Sequence, residues 1–430
     1  MKGKIISLIL ILISVLSINI SVFAKVGEPE LTTASAALID LSNGHYLYKS
    51  NIDETIVPGG LVKLMTAIVA CEHITDTSAS VTATAELLSS YDYDFGNMGI
   101  LPGETLTYND LINGMLIYDA GDAAEVVAAN VLSSREKFIK EMNNKAVEIG
   151  ALNTKFTNPT GIPDKNQYST IDDLYKITKY AMSNSYLKEV MGKSRYEMPP
   201  TNKYNSTRYL DNKNKYMSAT VTDKYYSTRA KGIKTSYVDD KNCSLILHYE
   251  TDTLNLLSIV CESDYDGETN HAYEDTQKLL NYGFDFYSNT RVITEGDILA
   301  EVNLINAKGT DRLLVEATED LYVNLPAGYN PNKLKTNIKL HSDIKAPIKK
   351  GQKLGEITVV YDGEVYAKEP LLSPQEIESN ILKGIFKRIG AFLTSPILLV
   401  PMGLMLIIFV WSVLIFNKKK TYKIDKKIDK

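Results

Sequence analysis

Short apolar-rich runs at residues 36–40 and 45–49 flank Ser42, Asn43 and Gly44, a pattern that predicts a β-hairpin. Pro58, Gly59 and Gly60 then open an apolar helix that carries Ile68, Val69 and Cys71 on its following turns. The glycine pair permits a sharp turn, and Lys63 falls one helical turn after Gly60 on the same face. Between residues 105 and 130, Leu111, Met115, Leu116, Val126 and Val127 keep helical spacing on both sides of a break at Tyr118-Asp119-Ala120-Gly121-Asp122, with Asp122 as N-cap of the second helix. A helix at 138–149, a turn-rich stretch at 158–163 and a capping signature at 169–174 follow. Two β-like runs, 244–249 and 254–260, and a helix at 273–286 complete an α+β domain over residues 25–288.

Beyond Ser288 the period changes. Short alternating strands at 292–305, 313–316, 321–325, 338–340 and 356–360, with turns at Ala327-Gly328 and Asp362-Gly363, predict a small all-β domain over 289–373. Ile377, Ile381, Ile385 and Ile389 fall on one face with Leu382 and Phe386, and Lys383, Lys387 and Arg388 lie elsewhere, so 374–390 reads as an amphipathic juxtamembrane helix or a plain connector. Residues 391–416 read as a transmembrane helix, since the stretch from Ile397 to Phe416 is apolar apart from Ser412. Lys418, Lys419 and Lys420 follow in a basic tail, 417–430, as a cytoplasmic flank requires. Residues 1–24 have Lys2 and Lys4, an apolar run and small residues before Lys25, the pattern of an export signal. The expected location is therefore the cell membrane, with one pass and the bulk of the chain outside.

The chain has 430 residues, of which 44% are hydrophobic and 23% charged, enough to bury two ordinary cores. Its net charge of -5 is spread without long blocks, which argues against a nucleic-acid partner. His45, His73, His248, His271 and His341 are scattered without ligand spacing, so no metal site is read. Cys243 and Cys261 sit on adjacent β-like runs, roughly opposite one another. A bridge is open, but free buried thiols fit better, because neither strand needs stapling in a domain of this size.

Asn158-Pro159-Thr160-Gly161, Tyr168-Ser169-Thr170, Gly232-Ile233-Lys234-Thr235 and the run from Asp275 to Phe284 occur together with the Gly60 loop. With them the chain resembles the penicillin-binding-protein-5-like D-alanyl-D-alanine carboxypeptidases, serine peptidases that trim peptidoglycan stem peptides, from about residue 34 to about residue 372. The resemblance implies a penicillin-binding/β-lactamase-like fold, no cofactor, and three motifs around one cleft. In the first, a serine attacks and a lysine one turn later takes its proton. Here the nucleophile's position is Gly60, which has nothing to acylate, and Lys63 keeps the base position. The second motif, S-x-N, falls on Asp119-Ala120-Gly121, with both functional positions changed. The third, K-T-G, reads Lys234-Thr235-Ser236, which keeps the carboxylate-holding pair and makes Ser236 the mildest departure. The backbone N–H groups of Gly60 and Tyr237 match the oxyanion hole and leave an anion-binding nest.

If that fold is kept, Asp119 shares a cleft with Lys63 and Lys234. Opposite charges within ~4–6 Å favour both charged forms and move a carboxylate by roughly 1–3 pKa units. Lys63 then stays protonated and is a poor base, while Asp119 competes with a substrate carboxylate for Lys234. An internal ion pair in place of peptide recognition is expected. Gly121 and Ser236 fit neutral drift as well as selection, whereas an unpaired Asp119 in a cleft would be costly. No other serine has the required setting: Ser89 and Ser90 lack a following lysine, and Ser133-Ser134 sit at a helix junction. Two functions follow: a membrane-anchored, non-catalytic homologue that binds stem peptides or a protein of the wall machinery, or an active carboxypeptidase. The altered motifs favour the first, because activity resides in the site and not the fold.

Overall fold

The computed structural model describes residues 27–89, 91, 95–219, 224–305, 307–342, 344–380 and 396–428. The chain forms two compact units, 1–290 with 323–333, and 291–322 with 334–430. The expected export signal at 1–24 lies outside the described residues.

In the first unit five antiparallel strands lie in the order His45–Ser50, Ser35–Asp40, Asn255–Ser263, Cys243–Glu250, Ala230–Tyr237. Successive side chains of a strand point to opposite faces, and here both faces are covered. Ala37, Ile39, Ile246, Leu257 and Ile259 enter a core with Leu64, Ile68, Leu116 and Val127 of the helical layer. Ala36, Leu38, Leu245, Leu247 and Val260 pack instead with Ala272, Leu279 and Leu280 of the helix His271–Phe286. Two-sided burial explains why these strands read as nearly continuous apolar runs.

The cysteines correct one expectation. Cys243 pairs in register with Ser263, and a bulge follows before Leu245. Its side chain joins the core under the His271–Phe286 helix, while Cys261 joins the helical-layer core, so the two thiols face opposite sides of the sheet. Both are buried and free, and Cys71 is free as well.

The helical break also differs in detail. Residues Thr105–Thr107 are a short strand, and Thr107 caps the helix Tyr108–Ile117 through a reciprocal capping box with Asp110. The next helix, Gly121–Val131, is capped at Ala120, not at Asp122. Asp122 is the second residue of that helix and fully buried, where it accepts the N–H groups of Met98 (3.1 Å) and Ile100 (3.0 Å) and ties that loop to the helix.

In the second unit Ile298–Asn303 pairs with Arg312–Glu316, and Leu334–Leu340, Lys353–Tyr361 and Glu364–Leu372 form a three-stranded sheet. Val302, Leu313, Val315, Leu354, Ile357 and Leu371 make its core. The helix expected over 374–390 is absent from its described part. Ile377 is drawn into this core and exchanges backbone hydrogen bonds with Ile348 (2.9 and 2.8 Å). Residues 381–390 lie outside the described residues. Among the described residues no helix is long and apolar enough to cross a membrane. The helix Pro396–Ile428 exposes apolar side chains between Val400 and Phe416. The span expected over 391–416 is not found among the described residues, and 391–395 lie outside them.

Candidate active site

Pro58 caps a tight 3-10 turn, Gly59–Val62, which runs into the helix Lys63–His73. The turn is buried against the loop of residues 158–163. Thr66 Oγ1 donates to the Pro159 carbonyl (2.7 Å), and Asn158 Oδ1 accepts the N–H groups of Thr160 (3.2 Å) and Gly161 (2.8 Å). At Gly161, where φ is +87°, a Cβ would overlap the Gly59 carbonyl, so the loop can close on the turn only through a glycine. The edge strand Ala230–Tyr237 supplies the opposite wall, and the break after Ile117 supplies a third.

Asp119 lies at φ +65°, a left-handed conformation that aspartate tolerates better than most residues. Its Oδ1 accepts from Lys63 Nζ at 3.0 Å and Lys234 Nζ at 2.5 Å. The lysine side chains are 4% and 1% exposed, and that of Asp119 20%. Burial works to raise the Asp119 carboxyl, but Lys234 and then Lys63 outweigh it and hold the group below the ordinary carboxylate range. Two ammonium groups share this one carboxylate, and the excess charge shows at Lys234. Burial lowers it, Asp119 pulls it back, and Lys63 lowers it again, leaving it at about 8.

This lowered value has a signed consequence. An unfolded lysine keeps its proton to about pH 10.4, so between about pH 8 and pH 10 the unfolded chain binds more protons at Lys234 than the folded one. Stability contributed there rises with pH, by at most about 1.4 kcal/mol per unit. Urea melts at about pH 7.5 and 9.5 are expected to show the wild-type chain gaining stability relative to Lys234→Gln. A pH-independent difference between the two would contradict the assignment.

The altered positions of the three motifs are each met by another residue. A Cβ on Gly60 would fall 2.7 Å from Asp119 Oδ1, 3.0 Å from Oδ2 and 3.2 Å from Cγ, so the carboxylate stands where a side chain at residue 60 would begin. A Cβ on Gly121 would overlap the phenol oxygen of Tyr91 and fall 2.7 Å from its Cζ. Tyr91 is held in that place by donating to the carbonyls of Phe95 and, at 2.6 Å, Gly96. The Gly60 N–H, one of the two expected oxyanion donors, donates to Ser236 Oγ at 2.7 Å. Ser236 is therefore not the mildest departure. Its hydroxyl fills the donor that an oxyanion would use.

An open cleft of about 320 Å³ remains outside this filled centre. Gly60, Lys63, Asp119, Thr235 and Tyr237 line it, together with Phe95, Tyr118, Lys213, Lys215 and Tyr273. Tyr237 turns its side chain outward and donates to Asp240 Oδ1 (2.6 Å). Lys213, Lys215 and Tyr91 escaped the sequence reading. The first two had a signal in the alternation Asn212-Lys213-Asn214-Lys215, while Tyr91 had none. Among the described residues no group of three or more histidine, cysteine, aspartate or glutamate side chains is placed to hold a metal ion.

A lysine one turn after a tight loop, a second lysine on the facing edge strand and a third motif at a helix break, all opening on one cleft, define the frame of a penicillin-binding serine peptidase. The sequence profile of D-alanyl-D-alanine carboxypeptidases matches residues 23–264, and that of the penicillin-binding protein 5 C-terminal domain matches residues 287–379. The chain belongs to the D-alanyl-D-alanine carboxypeptidase family. It is 27% identical over 393 residues to D-alanyl-D-alanine carboxypeptidase DacF of Bacillus subtilis, covering 90% of this chain and 97% of that one. It is 25% identical over 367 residues to DacA of Escherichia coli, covering 83% and 87%. Its fold is similar to that of penicillin-binding protein 5 from Haemophilus influenzae (TM-score 0.66, 22% identity, 82% of this chain and 100% of that one). It is also similar to that of a peptidoglycan synthesis regulatory factor, PBP3, from Streptococcus pneumoniae (TM-score 0.71, 16% identity, 81% and 100%).

Proposed function

We propose that this chain is a non-catalytic homologue of the carboxypeptidases that acts by binding at the cell wall, with a peptidoglycan stem peptide or a protein of the wall machinery as its partner. One observation carries the reading: the Asp119 carboxylate occupies the space of a nucleophile's side chain at Gly60 and is clamped there by Lys63 and Lys234. With no hydroxyl at residue 60 no acyl bond forms. With Lys63 paired to Asp119 no free base is available, and with Ser236 on the Gly60 N–H the developing oxyanion loses a donor. Homology to carboxypeptidases of peptidoglycan metabolism supports the wall as the setting. The export pattern at 1–24, the apolar residues from Ile397 to Phe416 and the lysines after them support a membrane anchor with the tail 417–430 in the cytoplasm.

The experiment is to incubate the purified chain with a stem pentapeptide ending in D-alanyl-D-alanine and measure free D-alanine. The expected result is no release above the buffer rate, and steady turnover would overturn the reading.

A further inference from the structure

The groups that would read a peptide's C-terminal carboxylate are already committed inside the protein. Lys234 Nζ donates to Asp119 (2.5 Å) and to the Thr235 carbonyl (3.1 Å), Thr235 Oγ1 donates to the Ser244 carbonyl (3.3 Å), and the Gly60 N–H is taken by Ser236. Farther out in the same cleft the situation reverses. Lys213 is exposed and Lys215 half-buried, and among the described residues neither forms an ion pair. Their ammonium groups lie near aromatic rings, Lys213 Nζ 4.2 Å from the Tyr118 centroid and Lys215 Nζ 5.3 Å from that of Tyr273.

The segment that carries both lysines is fixed. Asn212 Oδ1 accepts the Asn214 N–H (2.9 Å), Asn214 Oδ1 accepts the Tyr216 N–H (3.0 Å), and the Lys213 N–H donates to the Ile117 carbonyl (2.8 Å). The Lys215 N–H donates to the Tyr273 hydroxyl (3.2 Å). Little ordering remains to oppose binding, which favours affinity. The charged side chains lining the cleft are Lys63, Lys213, Lys215 and Asp119, three cations against one anion, so the cleft selects a negative group.

We infer that Lys213 and Lys215 bind an internal carboxylate of a wall stem peptide, that of a γ-linked glutamate, and that the C-terminal D-alanyl-D-alanine is not what the cleft reads. The inference rests on the binding role proposed above. In such a glutamate the α-carboxylate stays free and projects from the middle of the peptide, where it meets the outer lysines without reaching Lys234. Specificity then resides in the charge of the glutamate. An α-amidated form, neutral at that atom, is rejected.

The test is calorimetric titration of the full chain with four peptides. They are the pentapeptide L-Ala-γ-D-Glu-L-Lys-D-Ala-D-Ala, the tripeptide L-Ala-γ-D-Glu-L-Lys closed as its C-terminal amide, and the α-amidated form of each. The tripeptide is expected to bind within about threefold of the pentapeptide, and α-amidation to weaken each by about tenfold or more. The double variant Lys213→Gln/Lys215→Gln is expected to lose the same factor with its melting temperature unchanged, because neither ammonium holds the fold. Binding that requires the terminal D-alanines, that survives the double substitution, that inorganic phosphate displaces equally well, or that is absent for all four peptides would overturn the inference. Release of D-alanine from the pentapeptide would instead contradict the non-catalytic reading, and the amidation comparison would stand apart from it.

Discussion

Gly60→Ser alone is expected to restore no acylation by a β-lactam and to lower stability by about 1–3 kcal/mol, the usual cost of forcing extra atoms into a packed site. The new Cβ would stand 2.7 Å from Asp119 Oδ1, and that carboxylate is short and held by two lysines, so it cannot step aside without leaving them. The serine hydroxyl would then arrive beside a displaced anion, with the Lys63–Asp119 pair disturbed and Asp119 still in the cleft. Combining Gly60→Ser with Asp119→Ser removes the obstruction and frees both lysines. Adding Ser236→Gly returns the Gly60 N–H to the cleft. Since one oxyanion donor is worth roughly 10²–10³ in rate, the triple variant is expected to acylate about a hundredfold faster than the double. Gly121→Asn is expected to add nothing unless Tyr91 is also made smaller, because the phenol occupies that place. Stopped-flow acylation rates with a chromogenic cephalosporin measure each step. Acylation by the single Gly60→Ser variant as fast as by the triple would contradict the coupling of these positions.

Asp119→Asn is expected to destabilise the fold by about 3 kcal/mol, the scale for stranding buried charges by removing their partner. For a domain of this size that corresponds to a fall in melting temperature of roughly 6–10 °C. Lys63 and Lys234 are almost fully buried and would face one another across a neutral amide. Much of the cost belongs to the stranded charge, so adding Lys63→Met is expected to recover part of it. The linkage has a definite sign. Asp119 is held below its unfolded value, so its contribution is full above about pH 4 and is lost as pH falls through the folded value. Differential scanning calorimetry at neutral pH reads the effect, and a change below ~0.5 kcal/mol would mean that the ion pair is incidental.

Much of this site was legible because its signals are local. A glycine pair before a lysine, a broken helix and a K-T-x edge strand each lie within a few residues. The expected meeting of Asp119 with Lys63 and Lys234 followed from the family resemblance, which places the three motifs around one cleft. Ser236 was misjudged because its effect depends on a contact with a backbone N–H that is 176 positions away in sequence. Tyr91 was invisible for the same reason, since no period or motif says which side chain fills the space beside a glycine. The cysteines were misplaced by register, where an extra residue in Asn255–Ser263, between Val260 and Ser263, sets which residues stand opposite. At the C-terminal end, Ile377 shows apolar helical spacing in sequence but is captured by a β-rich core, a tertiary contact that outweighs local preference.

Drift alone would leave holes and loose charges at altered catalytic positions. Here Asp119 fills the space at Gly60, Tyr91 fills the space at Gly121, and Ser236 satisfies the Gly60 N–H. On the non-catalytic reading proposed above, these contacts belong to a site rebuilt without its nucleophile, with an outer cleft left open.

On the non-catalytic reading proposed above, the Asp119 carboxylate stands in the nucleophile's place and residue 60 carries nothing to acylate. Intact-mass spectrometry of the wild-type chain after prolonged exposure to a labelled penicillin tests it most directly, with the triple Gly60→Ser/Asp119→Ser/Ser236→Gly variant run alongside. An unmodified mass is expected for the wild-type chain and a single penicilloyl adduct on the triple variant, carried by the serine introduced in place of Gly60. A stoichiometric adduct on the wild-type chain would contradict it.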